Sequence, residues 1–302
     1  MAPDAPPLHG FLVVDKPVGW TSFDVVARVR RLTGERRVGH AGTLDPAATG
    51  VLPVAVGSAR KTLEFLAAAG KSYDAEVTFG VETATWDREG EVVAVADASG
   101  LDRARLEAAL AAFRGDLRQV PPMHSAIKIG GRRLYDLARR GEEIERPARP
   151  VTIARLELTA WQPPVARLAL DCSKGTYVRS LAHDFGAALG TGAHLSALRR
   201  TAHGPFTLAD AVTLEELAAA DLPAEWARLA LPPERPLADW PALRLPAEAA
   251  RRWRQGTAVP AEGARGRVRV DDEAGRWLGI GEAAPDGSAW RPVKVVPTEG
   301  AA

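Results

Sequence analysis

Short apolar runs and alternating stretches over the first two thirds of the chain predict strands interleaved with helices. Phe11–Asp15 is an apolar run that Lys16-Pro17 ends, which is typical of a buried strand stopped by proline. Residues 73–79 alternate between apolar and polar positions, as a half-buried strand does. Helical spacing of apolar residues follows a Thr/Ser cap at 21–22 and runs to Leu32. On the same grounds we expect helices at 102–114, at 179–189 and after Thr213, and strands at 156–158 and 168–172.

The irregular interleaving of strands and helices favours an α+β fold, with a mixed, largely antiparallel sheet flanked by helices, over a βαβ repeat. A proline-rich stretch at 231–246 predicts a linker. Beyond it, the pattern predicts one short helix at 248–255 and strand-like runs at 268–270, 277–280 and 293–296. We therefore predict two domains, a larger one over residues 1–240 and a small β-barrel-like one over residues 241–302.

The composition is that of a globular protein with ample core material, since 46% of the 302 residues are hydrophobic and 25% are charged. A single cysteine, Cys172, excludes an internal disulfide framework and a cysteine-based zinc site, and its place in an alternating strand predicts a buried thiol. No apolar run approaches the roughly 20 residues of a membrane span, and the N-terminal residues lack the pattern of a secretory signal. We therefore expect a cytoplasmic protein with no membrane partner.

The formal net charge of +1, from 39 basic and 38 acidic residues, conceals an uneven distribution. Basic residues concentrate at 28–37, 128–149 and 244–269, whereas acidic residues concentrate at 210–239. A polyanion responds to the local potential within a Debye length, about 8–10 Å, and not to the sum over the chain. Each basic cluster alone is typical of a solvated face, but three clusters offset by a separate acidic segment indicate a polyanionic partner such as nucleic acid.

The segment 38–57 concentrates glycines around one histidine and one carboxylate, Asp45, among small and apolar residues. Pro46 restricts Asp45 to extended geometry, and an apolar setting would require a cationic partner for the carboxylate. A structural aspartate that caps a turn explains the same pattern, so local chemistry leaves both interpretations open. The chain lacks phosphate-binding, dinucleotide-binding and hydrolase motifs, and its six histidines show no metal-ligand spacing, so we expect no metal site.

Five segments, taken together and in order, resemble the motifs of the bacterial tRNA pseudouridine-55 synthases of the TruB type. They are DKPVGWTS at 15–22, GHAGTLDPAATG at 39–50, KSYDAEVTFG at 71–80, PPMHSAIK at 121–128 and CSKGTYVRSL at 172–181. The similarity extends over most of residues 8–210. It implies a pseudouridine-synthase catalytic domain, a small PUA-like C-terminal domain, and an enzyme that isomerises one uridine of the tRNA T-loop, position 55, by base flipping and without cofactor or metal.

The resemblance also implies roles for three predicted catalytic residues. Asp45 resembles the essential carboxylate, which attacks either ribose C1′ or the uracil ring, and Arg179 resembles the arginine that pairs with it. Tyr73 resembles the tyrosine that stacks on the target base and helps to remove a proton. The position of Tyr73 in a predicted strand also fits a tyrosine that only packs in the core.

Three further residues are predicted to bind the substrate or to support its site. Leu198 resembles a leucine that walls the uracil pocket, and His40 resembles a motif histidine that contacts RNA when the base is extracted. His40 also fits a purely structural histidine, and Lys16 matches a motif lysine with a supporting role. The basic stretch at about 124–150 corresponds to an RNA-binding insertion of the family.

Two other interpretations use the same residues differently. An RNA-binding or RNA-folding protein would need the basic clusters but not the Asp45 carboxylate, and a related synthase would modify a different RNA. From the resemblance we expect tRNA, bound through its T-arm, as the partner of a monomeric enzyme, since the tRNA itself supplies a large contact surface.

The charge distribution predicts where RNA binds. Charge reversal within 128–149, for example Arg149→Glu, is expected to weaken RNA binding about tenfold, because it removes a phosphate contact and adds a repulsive charge. The same change within 210–239, for example Arg228→Glu, should alter the Kd less than about twofold. Titration of T-arm RNA at several salt concentrations measures both effects, and equal losses at the two sites would contradict the assignment.

Overall fold

The computed structural model describes residues 8–125, 128–129, 132–133 and 144–296, which form two units, each built on a sheet. A ten-stranded mixed sheet organises the larger unit, and two short hairpins lie outside that sheet. The strands of the larger unit are β1 (Gly10–Lys16), β2 (Val38–His40), β3 (Thr49–Val56), β4 (Lys71–Phe79), β5 (Val81–Thr83), β6 (Val92–Val95), β7 (Gly115–Gln119), β8 (Lys128–Ile129), β9 (Arg132–Arg133), β10 (Arg149–Gln162), β11 (Val165–Cys172), β12 (Ala193–His203), β13 (Phe206–Thr207) and β14 (Ala211–Val212).

The main sheet has the strand order β14-β1-β3-β12-β4-β11-β10-β7, with β2 paired to β3 and β13 paired to β12. Its neighbours are antiparallel except for the parallel pairs β1–β14 and β3–β12. The hairpins β5–β6 and β8–β9 are also antiparallel. This arrangement confirms the predicted α+β fold with a mixed, largely antiparallel sheet.

Local capping chemistry fixes both ends of the first helix of the larger unit. The Thr21 side chain accepts a hydrogen bond from the Asp24 amide at the start of the first helix, and Gly34 closes that helix in the left-handed conformation. The predicted helix at 102–114 is shorter, because its α-helical part ends at Leu110 and continues as a 3-10 turn. Helices α1 to α6 span Ser22–Thr33, Leu63–Ala67, Arg103–Leu110, Val178–Leu189, Leu214–Ala219 and Leu222–Leu229.

The main core lies between the sheet and helices α1, α3 and α4. Aromatic rings connect the layers, since the Phe185 ring lies 5.2 Å from the Phe79 ring of β4 and 5.7 Å from the Phe113 ring that follows α3. Cys172 is a free, buried thiol within this core, which confirms the prediction from its strand pattern. Within the described ranges, none of the helices combines the length and the apolarity that a bilayer span needs.

Two central strands, β3 and β12, were not predicted from the sequence. No strand was predicted in the glycine-rich segment 38–57, but its second half is a buried strand that includes Pro53. Proline within a strand normally argues against a central position in a sheet, because it cannot donate a ladder hydrogen bond. Strand β12 carries two consecutive arginines, Arg199 and Arg200, so its sequence does not indicate a strand in the middle of the sheet.

The C-terminal unit is a five-stranded sheet with one helix packed on it, as the strand-like runs predicted. Its strand order is β15-β17-β18-β19-β16, and Trp253 of the helix is fully buried against the sheet. This confirms the small β module, while its boundary at residue 241 stays a prediction. Its elements are β15 (Ala242–Leu245), α7 (Ala247–Arg254), β16 (Val259–Pro260), β17 (Arg267–Asp272), β18 (Trp277–Ala283) and β19 (Ala289–Val295).

The proline-rich segment 231–246 is packed against both units along its length. Leu231 exchanges two backbone hydrogen bonds with Phe11 of β1 (2.8 and 2.9 Å), and Leu237 is fully buried in the C-terminal unit. The Trp240 ring lies 5.0 Å from the Phe65 ring of α2 in an edge-on arrangement. The segment therefore joins the two units through contacts as well as through the chain.

Gly50 permits the close approach of three strands beside the Asp45 turn. It lies on β3, opposite Lys16 of β1 on one side and Arg200 of β12 on the other. Its backbone has a φ of +97°, and a Cβ atom at this position would lie 2.2 Å from the Arg200 carbonyl oxygen. Both the conformation and the contact therefore require glycine.

Gly50→Ala is expected to lower the free energy of unfolding by about 3 kcal/mol, because it combines the left-handed backbone penalty with a steric clash. Gly115→Ala is the matched control: its φ is +83°, but no atom lies within 4 Å of its Cβ position. The control should cost only about 1 kcal/mol. Urea unfolding measures both changes, and equal destabilisation would show that the contact with Arg200 has no effect.

Candidate active site

The Asp45 carboxylate lies in the turn that joins β2 to β3. The Ala48 amide donates to the Asp45 carbonyl (3.1 Å) and closes the turn, and Pro46 restricts Asp45 to extended backbone. Two hydrogen bonds fasten Leu44 to Ser22 at the start of α1, since the Ser22 hydroxyl donates to the Leu44 carbonyl (3.2 Å) and accepts from its amide (2.9 Å). The turn is therefore fixed to the first helix.

Lys16 supports the same turn from inside the protein. Its side chain is fully buried, and Nζ donates to the carbonyls of Pro17 (2.9 Å), Trp20 (2.6 Å) and Pro46 (3.2 Å). Three donors thus meet three acceptors. Burial lowers the pKa of Lys16 from 10.5 to about 8, and the Asp45 carboxylate opposes that shift. Lys16 holds the turn in place, which is compatible with its predicted supporting role.

Arg179 is held by the hydrogen-bonded N-terminus of α4. The Gln119 side chain accepts from the Tyr177 amide (2.7 Å) and donates to the Tyr177 carbonyl (3.0 Å). The Ser180 hydroxyl donates to the Val120 carbonyl (2.7 Å). These bonds satisfy polar groups of the first helical turn and fasten it to the end of β7, so they fix the direction in which the arginine points.

The Arg179 guanidinium bridges two carboxylates. Its Nε lies 3.1 Å from Oδ2 of Asp45, and its Nη1 lies 3.4 Å from Oδ2 of Asp87. Nη1 also donates to the Thr85 carbonyl (3.4 Å), and Nη2 donates to the His124 carbonyl (2.8 Å). Only 6% of the Arg179 side chain is exposed, so solvent screens these contacts weakly. The pair of Asp45 and Arg179 expected from the sequence is present in the structure.

The Asp45 carboxylate is surrounded by protein but remains open to a ligand, because 44% of its side chain is exposed within a depression. Burial raises the pKa of Asp45 above its ordinary value of 3.8, the Arg179 cation opposes this rise, and the Asp87 carboxylate adds to it. A carboxylate that is partly desolvated and paired with one cation is a stronger base and nucleophile than one in water.

The depression at Asp45 is small. Its lining combines the charged groups of Asp45, Asp87 and Arg179 with Leu195 and Leu198, two apolar residues of β12. An apolar wall beside a few charged groups suits a planar ligand with polar edges. The structure therefore places Leu198 in the same depression as Asp45 and Arg179.

A larger groove adjoins this depression and shares Arg88 and Leu198 with it. Arg167 and Arg199 also line the groove. Arg199 is paired with Asp15 at 2.7 Å, with 41% of the arginine side chain still exposed. Cationic side chains along a groove that leads to a small, partly apolar depression suit an anionic polymer that inserts one unit into the depression.

Tyr73 lies on β4 next to the depression but within the protein, since it is only 7% exposed. In the sheet it stands opposite Arg200 of β12. Burial raises the pKa of Tyr73, the Arg200 guanidinium opposes this rise, and the charge of Asp45 adds to it. The phenol is therefore protonated and close enough to Asp45 to respond to its charge, while its stacking on a base stays a prediction.

His40 ends β2 and is neutral. Burial lowers the pKa of His40, and the nearby Arg200 cation acts in the same direction. Its Nδ1 is buried, and no described residue forms a hydrogen bond with it. The predicted contact of His40 with RNA stays a prediction. Much of the predicted insertion at 124–150 lies outside the described residues.

Two residues of the site were not found by sequence reasoning. Asp87 lies in a turn, where an aspartate usually caps the local backbone, and the Thr85 hydroxyl does donate to its Oδ1 (2.5 Å). Its second carboxylate oxygen faces Arg179, but nothing in the sequence around Asp87 indicates that contact. Gln119 is an ordinary polar residue at the end of a strand, and only the fold brings it to α4. Among the described residues, no group of His, Cys, Asp and Glu side chains is arranged to hold a metal ion.

Three family descriptions match successive parts of the chain. Residues 30–178 match "TruB family pseudouridylate synthase (N terminal domain)". Residues 179–237 match "tRNA pseudouridylate synthase B C-terminal domain". Residues 241–296 match "Pseudouridine synthase II TruB, C-terminal".

Individual relatives match over most of their length. The tRNA pseudouridine synthase B of Pseudomonas aeruginosa is 48% identical over 285 residues, which cover 93% of each chain. That of Symbiobacterium thermophilum is 54% identical over 254 residues, which cover 83% of each chain. A chain in the crystal structure of a Cbf5-Nop10-Gar1 complex has a TM-score of 0.73 and 28% identity, covering 95% of this chain and 85% of its own. A chain in an archaeal box H/ACA Nop10-Cbf5 complex has a TM-score of 0.72 and 25% identity, with 97% and 88% covered.

Proposed function

The chain belongs to the TruB family of pseudouridylate synthases and is a tRNA pseudouridine synthase, and we propose that it isomerises uridine 55 of the tRNA T-loop through the Asp45 carboxylate. One observation carries the proposal: a half-exposed carboxylate is paired with a buried arginine in a depression that has an apolar wall. The relatives named tRNA pseudouridine synthase B support the choice of substrate.

The reaction needs a group that can stabilise or bond to ribose C1′, which becomes electron-poor as the bond to the base breaks. The C–N bond between ribose C1′ and the base breaks, the base rotates, and C1′ bonds to C5 of the same base. C5 then loses a proton, and the released ring nitrogen takes one up, so the product is an isomer of the substrate. Asp45 can stabilise or trap the electron-poor sugar carbon, or add to the ring, and its exposed oxygen is available for either step.

Arg179 keeps Asp45 ionised and oriented. Its Nε contacts Oδ2 of Asp45, and 44% of the aspartate side chain remains exposed. Because Arg179 is also fixed by Asp87 and two backbone carbonyls, it does not have to reorganise when a substrate enters. The cation thus lowers the cost of holding a carboxylate in a partly desolvated place.

The target base must leave its stack to reach this carboxylate, which costs a few kcal/mol. We propose that Leu198 covers one side of the extracted uracil and that the Tyr73 ring stacks on its other side. The groove with Arg88 and Arg199 would hold the neighbouring phosphates, and His40 would contact the RNA beside the extracted base.

Asp45→Asn is expected to lower the rate of pseudouridine formation at least about a thousandfold, because the amide cannot replace the carboxylate. The affinity for T-arm RNA should change less than about threefold, since the phosphate contacts remain. Asp97→Asn, an exposed loop aspartate that bonds Ser99, is the matched control and should keep full activity. Single-turnover assays and Kd titrations measure both quantities, and substantial product formation by Asp45→Asn would refute the assignment.

The pKa of Asp45 predicts an acidic limb in the pH–rate profile. The active form is ionised, so the rate falls as the pH drops through a pKa that lies above the ordinary 3.8. Arg179→Gln removes the cation that lowers this pKa, so the limb of the residual rate should move to higher pH. Asp87→Asn removes a like charge, so its limb should move to lower pH.

The control for these shifts is Arg228→Gln, which breaks an exposed pair with Glu225 far from the depression and should leave the limb in place. Single-turnover rates between about pH 4 and pH 7 give the midpoints, a range set by the ordinary carboxyl pKa and its expected rise. Shifts of the same sign in Arg179→Gln and Asp87→Asn would contradict the assignment of the limb to Asp45.

A further inference from the structure

Trp86 has a backbone conformation that a bulky residue seldom adopts. Its φ is +62°, and it is the only residue other than glycine with a positive φ in the described part of the chain. This region costs an L-residue free energy, and it is sparsely populated outside glycine, asparagine and aspartate. Such a conformation persists only when its surroundings impose it, and it occurs preferentially at functional sites.

Trp86 lies between the two residues that contact Arg179 from this turn. Thr85 supplies a carbonyl to the guanidinium, and Asp87 supplies a carboxylate. The Thr83 hydroxyl donates to the Asp87 carbonyl (2.6 Å), and the Leu195 amide donates to the Trp86 carbonyl (3.0 Å). The backbone at Trp86 therefore sets the direction of both groups that hold the arginine.

The Trp86 ring stacks on the imidazole of His183. The two ring centroids lie 4.2 Å apart with an interplanar angle of 23°. His183 follows Arg179 by four positions in α4, so the stack and the arginine occupy neighbouring turns on one side of the helix. The stack thus fastens the turn to the helix that carries Arg179.

The surroundings of His183 favour its cationic form. Its Nδ1 lies 3.0 Å from Asp184 on the same helix, and its Nε2 lies 3.2 Å from Glu82 of β5. These carboxylates, the Asp184 contact first, raise the pKa of His183 above 6.5 against the effect of burial. From the insertion side, the Arg146 guanidinium lies 5.6 Å from the Trp86 ring. A cationic ring binds an indole face more strongly than a neutral one does.

We propose that Trp86 and His183 are positioning residues for Arg179, and that the protonated His183 ring clamps the 83–90 turn onto α4 so that Asp87 meets the guanidinium. Neither residue lines the depression at Asp45, so neither has to touch the substrate. The inference rests on the proposed catalytic role of Asp45 and Arg179. As the pH rises through the pKa of His183, the cationic stack is lost, the turn loosens, and the rate falls on the alkaline side.

The test compares His183→Leu, His183→Arg and Trp86→Gly in single-turnover assays. His183→Leu and Trp86→Gly should each lose about tenfold in rate at pH 7, because misplacement by a fraction of an ångström carries such a cost. Trp86→Gly is informative because glycine relieves the backbone penalty while it removes the stack. His183→Arg keeps a planar cation on the indole and should stay within about threefold of the wild type. The Kd for RNA should be unchanged in all three.

Lys16, whose pKa is about 8, also titrates on the alkaline side, so the clamp is separated from it by the direction in which the limb shifts when a neighbour of His183 is changed. Asp184→Asn removes one carboxylate that favours the His183 cation, so the limb should move to lower pH. Asp97→Asn is the matched control and should not move it. The double variant His183→Arg/Asp184→Asn should have the same alkaline limb as His183→Arg alone, because the arginine stays charged whether or not Asp184 is present.

Wild-type rates of His183→Leu at all pH values would overturn the clamp, as would a rate of His183→Arg as low as that of His183→Leu. A limb that does not respond to Asp184→Asn would also overturn it. Failure of the proposed role of Asp45 is recognised separately, because Asp45→Asn would then still form pseudouridine. In that case, NMR titration of the His183 ring still tests the stack, whose loss in Trp86→Gly should lower the pKa of His183.

Discussion

A guanidinium that is withdrawn from water must have its charge and its N–H groups satisfied by the protein, and the site depends on this demand at Arg179. The two carboxylates, of Asp45 and Asp87, come from turns that are distant in sequence. One carbonyl, that of Thr85, belongs to the same turn as Asp87, and the other, that of His124, comes from a third segment. Satisfying one cation therefore fixes the turn before β3, the 83–90 turn and the start of α4 relative to one another. The depression at Asp45 lies where these elements meet.

A second buried arginine, Arg200 of β12, is hydrogen-bonded in a different way. Arg200 is fully buried, but its Nε donates to the Val51 carbonyl (2.7 Å) and its Nη2 donates to the Gly42 carbonyl (2.8 Å), with the Tyr73 phenol nearby. No carboxylate is among these contacts. The pKa of His40 is lowered by burial, and the uncompensated positive charge of Arg200 lowers it further. Arg200 thus joins strands, whereas Arg179 shares its charge with a carboxylate that remains open to a ligand.

The sequence predicted the elements that depend on local chemistry and missed those that depend on neighbours. Helix α1 was predicted because its Thr21 cap and its apolar spacing depend on residues only a few positions apart. Strand β3 was missed because Pro53 hides a central strand whose ladder partners are far away in the chain. Asp45 and Arg179 were predicted through motifs, but Asp87 was not, since the property that matters is the position of its second oxygen in space.

The parallel pairing of β3 with β12 has a consequence for the order in which the protein assembles. The Arg199–Thr49 contact at this junction spans 150 residues of sequence, and the Arg199–Asp15 pair spans 184. During synthesis, β3 therefore leaves the ribosome long before β12 exists, and the backbone N–H and C=O groups along that edge of β3 stay unpaired in the nascent chain. Contacts of such long range slow folding, and an incomplete chain that ends before α4 contains Asp45 without its arginine. The Asp45 turn is translated early and its Arg179 partner late, so a fragment released prematurely would hold an unpaired carboxylate and be prone to aggregation.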